Sequence, residues 1–151
     1  MNTIGTILLV DDSENDTFLF RVASEKAALR NPLQEVHDGE QAVAYLSGTP
    51  PFHDRAQYPL PILMLLDLKM PKKSGFEVLA WLRSESALRR LPVFIFSASL
   101  RKEDVDRAFD LGASAFLVKP STLDDLVQMI QTLTSWLKYN HFPEINPVQN
   151  S

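Results

Sequence analysis

The stretch Ile62-Leu63-Met64-Leu65-Leu66-Asp67-Leu68-Lys69-Met70-Pro71 decides the fold. Five apolar residues, Ile62 to Leu66, run unbroken into a single acid. A strand with one wet face would alternate; an unbroken apolar run suits a strand covered on both faces, as in a parallel sheet. Asp67 then stands at the carboxyl end of that strand, where open parallel sheets collect their ligands. An acid there is either a cap for the next turn or a reactive group. The rest of the chain decides between the two.

Upstream, Thr6 to Val10 is a second apolar run, and it too ends in acids, Asp11-Asp12. Ser13 or Asp12 caps a helix whose apolar stripe reads Phe18, Leu19, Val22, Ala23 and Ala27. The helix stops before Asn31-Pro32, because a residue preceding proline avoids helical geometry. Leu33 to Val36 is a weak strand, Asp38-Gly39 a turn, and Glu40 to Leu46 a short helix stopped near Gly48. Gly48 to Pro59, with Pro50, Pro51 and Pro59, is irregular and long for a connection inside a domain. Its Phe52 and Tyr58 either pack back on the body or form a contact surface.

Downstream, Pro71 to Gly75 is a loop and Phe76 to Ser84 a helix. Leu91 to Phe96 is a fourth strand running into Ser97-Ala98-Ser99. Glu103 to Leu111 is a helix ended by Gly112, and Ala115 to Val118 is a fifth strand ending at Lys119-Pro120. Thr122 caps a last helix with the stripe Leu123, Leu126, Val127, Ile130, Leu133 and Leu137. Asn140 to Ser151 reads as a loose tail. Strands alternate with helices throughout, which implies right-handed crossovers and an α/β fold with helices on both faces of a parallel sheet.

Composition narrows the function. The chain has 151 residues, 45% of them hydrophobic, enough for one domain with a full core. No apolar run approaches the roughly 18 residues that span a bilayer, and no basic-then-apolar leader opens the chain. With no cysteine there is no disulfide frame and no thiolate metal site. These features lead us to expect a cytoplasmic protein. A net charge of −4 argues against nucleic acid as the main partner. His37, His53 and His141 lack metal-ligand spacing. No glycine-rich phosphate loop follows the first strand, and an acidic pair there would repel a nucleotide phosphate.

The residues just past the strong strands form a constellation: Asp11 and Asp12, Asp67, Ser97 and Lys119. In neighbouring parallel strands all five converge on one end of the sheet. Carboxylates placed together repel unless a cation or protons intervene, and oxygen-only ligands suit a hard ion such as Mg²⁺. A carboxylate can attack phosphorus, and phosphoryl transfer asks for in-line positioning, a metal and fixed positive charge. That chemistry assigns Asp67 as nucleophile, Asp12 and Asp11 as metal ligands, and Lys119 and Ser97 as phosphoryl binders. Each residue alone is a common cap or turn residue; their shared structural position argues for the joint role.

At this point the chain resembles the receiver domain of two-component response regulators. The matching residues are Asp11-Asp12, Asp67, Met70-Pro71, Ser74-Gly75, Ser97-Ala98, Phe116 and Lys119-Pro120, with Asp38 to Ala42 resembling the family's start of its second helix. The resemblance covers residues 5–138, leaving 139–151 as a tail with no output domain expected. It implies a flavodoxin-like (βα)5 fold with strand order 2-1-3-4-5. It also implies phosphorylation of Asp67 by a sensor histidine kinase with Mg²⁺, and a Lys69 backbone carbonyl among the metal ligands. Ser97 and Phe116 would be the switch pair, altering the face of the fourth helix, fifth strand and fifth helix. A cis Lys119-Pro120 peptide is a further family expectation. The long 48–59 loop resembles a subgroup of stand-alone receivers that serve bacterial and cyanobacterial phytochromes, in which that same face forms a homodimer; Trp136 and Tyr139 would fit such a contact.

Three other readings compete. A Mg²⁺-dependent phosphatase with an aspartyl-phosphate intermediate wants a second acid two residues after the nucleophile, where this chain has Lys69. A phosphorelay intermediate would use the same residues as a receiver. An interaction module that is never phosphorylated would not need the intact acid set.

Overall fold

Successive side chains of a strand point to opposite faces, and in β1 (Ile7–Val10) and β3 (Leu63–Leu66) both sets are buried. The computed structural model describes residues 4–148. Its remaining elements are α1 (Glu14–Lys26), β2 (Leu33–Val36), α2 (Gly39–Ser47), α3 (Gly75–Ser84), β4 (Val93–Ser97), α4 (Lys102–Asp110), β5 (Ala115–Val118) and α5 (Leu123–Tyr139). All strand pairs are parallel, in the order β2-β1-β3-β4-β5. The flavodoxin-like expectation holds.

The alternation makes two cores. Leu8, Val10, Met64 and Leu66 face one layer with Tyr45, Leu46, Leu79 and Leu82 of α2 and α3. Ile7, Leu9, Leu63 and Leu65 face the other, with Phe20 and Ala23 of α1 and Leu126, Ile130, Leu133 and Leu137 of α5. Truncating a fully buried leucine such as Leu65 to alanine in such a layer typically costs about 2–5 kcal/mol.

Helix α1 corrects the expected stripe. Phe18 is 54% exposed, whereas Thr17, Phe20, Ala23 and Ser24 are buried. Ser13 caps the helix, its Oγ accepting the Asp16 N–H at 3.2 Å. Two hydroxyls can then turn inward because each donates to its own helix: Thr17 to the Glu14 carbonyl at 3.0 Å and Ser24 to the Phe20 carbonyl at 2.7 Å. A hydropathy stripe does not see that satisfaction.

The 48–59 segment is irregular but fastened. The Arg55 guanidinium donates to the carbonyls of Tyr45, Leu46 and Tyr58 at 2.8–3.1 Å, closing the carboxyl end of α2 where cations are favoured. Phe52 and Tyr58 pack back on Tyr45 with ring centroids 5.3 and 5.9 Å away, and the Tyr45 hydroxyl, pushed up to about 12 by burial, donates to the Pro59 carbonyl. The cis peptide among the described residues is Pro50-Pro51; Lys119-Pro120 is not cis.

The tail is not loose over its described part. Phe142 stacks edge-on against Trp136 at 5.4 Å, and Ile145 and Val148 pack on the α2–α3–α4 layer. Trp136 is thereby held between Phe94 and Phe142, while Tyr139 is 79% exposed. Among the described residues no helix is long and apolar enough to cross a membrane.

Candidate functional site

The register brings the strand ends level. Val10 pairs with Leu66 and Leu66 with Ile95, so the residues after β1 and β3 emerge side by side. The ladder continues one step further: Asp67 N–H donates to the Val10 carbonyl at 2.9 Å, Asp11 N–H to Val36 at 3.2 Å, and Lys119 N–H to Ser97 at 2.9 Å. The functional side chains therefore hang from main chain that is already part of the sheet. Gly75 contributes by what it lacks, since a Cβ there would lie against the Asp67 carbonyl oxygen.

Asp11 and Asp67 are buried and Asp12 is exposed. One carboxylate oxygen from each of the three lies within 4.8 Å of the others. The Lys119 ammonium sits against this group, 2.7 Å from Asp11 Oδ2 and 3.4 Å from Asp67 Oδ2. It also lies 2.8 Å from Asp16 Oδ2. Asp67 Oδ1 accepts the Leu68 N–H at 2.9 Å, and Asp11 Oδ1 accepts the Ser13 N–H at 3.0 Å.

Burial sets the electrostatics of Asp67. It pushes the carboxyl up to about 6, with Asp11 adding repulsion; Lys119 and the Leu68 N–H pull the other way without cancelling it. Lys119 is moved upward: burial opposes its charge, but hydrogen bonds to Asp11 and Asp16 and the fields of Asp67 and Asp11 outweigh that. Three carboxylates against one ammonium leave excess negative charge, and the donor set is oxygen alone with one solvent-facing member. That set fits a hard divalent cation.

An open cleft of about 380 Å³ lies beside Asp67, walled by Lys69, Ser97, Ser99 and Arg101 as well as Lys119. Ser97 is buried and its Oγ accepts the Ser99 N–H at 3.2 Å. Phe116 is partly buried against the α2–α3–α4 layer. The Lys69 side chain reaches Asp104 of α4 at 3.8 Å. Asp104 also accepts the Ser99 hydroxyl at 2.5 Å, and that bond first, then Lys69, Arg101 and Arg107, hold its carboxyl below the usual range against its desolvation. No second acid stands two residues beyond Asp67, so the two-acid phosphatase arrangement is absent from this position.

The sequence profile of the response regulator receiver domain matches residues 7–131. The chain belongs to the response regulator receiver family. Among curated relatives, this receiver is 35% identical over 138 residues to response regulator Rcp1 of Synechocystis sp., covering 91% of this chain and 92% of the relative. Among solved structures it resembles the phosphorylated cyanobacterial phytochrome response regulator RcpA, with a TM-score of 0.84 and 30% identity over 93% of this chain and 99% of that one. It also resembles response regulator RPA3017 in red light signalling of R. palustris, with a TM-score of 0.88 and 32% identity over 93% and 99% of the two chains. A third is the Mn²⁺-bound form of Rcp1, with a TM-score of 0.82 and 34% identity over the same shares.

The five side chains that sequence placed past the strands thus meet at one end of this receiver's sheet. Sequence reading missed Asp16 and the Ser99–Asp104–Lys69 connection. Asp16 had a weak signal: three residues after the Ser13 cap, a side chain in the first helical turn lies beside the strand ends. Asp104 had none, since its partners come from two separate loops.

Proposed function

We propose that this receiver accepts a phosphoryl group on Asp67 from the phosphohistidine of a sensor histidine kinase. The observation that carries the reading is a buried Asp67 set between two further carboxylates and the Lys119 ammonium, at the mouth of an open cleft. An Asp67 oxygen attacks phosphorus, the phosphorus–nitrogen bond breaks, and the electron pair leaves with the imidazole. Asp12, Asp67, Asp11 and the Lys69 backbone carbonyl would hold Mg²⁺. Bound there, the cation neutralises phosphoryl oxygens and relieves carboxylate repulsion. Lys119 pairs with a phosphoryl oxygen and the Ser97 hydroxyl donates to another.

Ser97 and Phe116 are the switch. Drawing Ser97 toward the phosphoryl group moves the β4–α4 loop, makes room behind it and lets Phe116 turn inward, a population shift between two packings. The readout surface is the face of α4, β5 and α5, where Phe109, Val118 and Tyr139 are exposed. Those three residues support a homodimer on that face. The likeness to RcpA and RPA3017 supports a phytochrome-type kinase as donor and light signalling as the setting.

Acetyl phosphate with Mg²⁺ should add one acid-labile phosphoryl group by intact mass, and Asp67→Asn should abolish it. Labelling of the Asn variant would overturn the nucleophile. Phosphotransfer profiling against the host's histidine kinases tests the donor: a phytochrome kinase should transfer fastest, and preference for an unrelated kinase would overturn the light-signalling assignment.

A further inference from the structure

An ammonium has three N–H donors, and that of Lys119 faces three carboxylates: Asp11 at 2.7 Å, Asp16 at 2.8 Å and Asp67 at 3.4 Å. The two short contacts draw the amine toward β1 and α1, and the long one is to the acid that would carry the phosphoryl group. Asp16 stands apart from the other two. Asp11 and Asp67 continue the sheet ladder and are buried. Asp16 lies in the first turn of α1, its side chain 36% exposed, and it is not one of the three acids whose oxygens converge.

We propose that Asp16 is a positioning residue that holds the Lys119 amine toward α1 in the resting protein and competes for it with a phosphoryl group on Asp67. The inference rests on the reading of Asp67 as phosphoacceptor. Phosphoryl oxygens need a donor, yet the three N–H groups of Lys119 already face carboxylates, so one present acceptor has to be released. Asp11 is buried, and giving up the amine would cost a short, desolvated ion pair that water cannot replace. Asp67 is the group being modified. Asp16 is partly in water, so solvent replaces the amine around it at little cost. Its pull therefore sets how readily the site takes and keeps the anion.

The test uses the full chain with Mg²⁺ and beryllofluoride, a phosphoryl analogue, read by ¹⁹F NMR and calorimetry. Asp16→Asn should bind about three- to fivefold more tightly than the wild type, the scale of a partly exposed ion pair. Glu14→Gln removes the same charge from the same helical turn at an exposed residue and should stay within about twofold of the wild type. In a Lys119→Met background, Asp16→Asn should change nothing further. Equal or weaker binding by Asp16→Asn, an equal gain from Glu14→Gln, or a gain that persists without Lys119 would each overturn the proposal. A wild type that binds no beryllofluoride would overturn the phosphoacceptor reading and this one with it. If Lys119→Met does not fold, the metal-free protein decides. The slowly exchanging ¹⁵N-ammonium signal of Lys119 should weaken in Asp16→Asn and persist in Glu14→Gln, and an unchanged signal would refute the contact.

Discussion

Removing the charge of Asp67 should stabilise the metal-free protein at neutral pH. Its carboxyl is raised from 3.8 to about 6 in the fold, chiefly by burial. A raised folded value means that the native state holds the proton more tightly than the unfolded chain. The associated stability is present below about pH 4 and is lost as pH climbs through 6. At about 1.4 kcal/mol per pH unit, ionising Asp67 costs the fold about 3 kcal/mol by pH 7.5. Asp67→Asn escapes that cost and keeps an oxygen to accept the Leu68 N–H. It also places an amide near the Lys119 ammonium, so the net gain should be about 1–3 kcal/mol. For a chain of this size that is roughly 2–12 °C in melting temperature. The assay is thermal and urea unfolding in chelator at pH 7.5 and pH 4.5. The variant's advantage should shrink to less than half at the lower pH. Saturating Mg²⁺ should raise the wild type more than the variant, because a ligand that binds only the native state stabilises by mass action. A variant no more stable than the wild type in chelator at pH 7.5, or an advantage unchanged at pH 4.5, would refute the argument that burial and carboxylate repulsion strain this site.

Two other outcomes follow from contacts outside the acid cluster. Gly75→Ala would press a Cβ against the Asp67 carbonyl oxygen, so it should destabilise by about 1–3 kcal/mol, the usual scale of overpacking, and slow acetyl phosphate labelling; a variant that melts and labels like the wild type would show that the β3–α3 loop yields freely. Arg55→Ala removes a charged donor from three carbonyls and should cost about 2–3 kcal/mol, roughly 4–12 °C, with labelling intact; an unchanged melting temperature would mean that the 48–59 loop is held by its aromatic contacts alone.

The two measurements at Asp67 and Asp16 probe one economy of charge. Asp67 is left partly uncompensated because Lys119 is shared among three acids. Full pairing of Asp67 with Lys119 would give a more stable and less reactive carboxylate. Receivers need the opposite, a site that gains by taking up a cation and a phosphoryl group.

Much of this was legible in the sequence, and the legible part has a common cause. Local order along the chain fixes where a strand ends, and a parallel sheet brings all such ends to one edge. Apolar runs therefore put Asp11, Asp12, Asp67, Ser97 and Lys119 at strand ends, and parallel neighbouring strands bring those ends together. The same logic carried the element order and, with the family resemblance, the strand order. What sequence could not decide was how each side chain spends its hydrogen bonds. Phe18 read as core and is exposed, because Thr17 and Ser24 satisfy themselves inside α1 and take the buried face. The 48–59 loop and the tail read as irregular, yet Arg55 and Phe142 tie them down through partners distant in the chain. The division of Lys119 among Asp11, Asp16 and Asp67 is of the same kind. It depends on a helix turn, two strand ends and a fifth strand meeting within a few ångströms, and only the tertiary structure decides which acid receives the shorter bond.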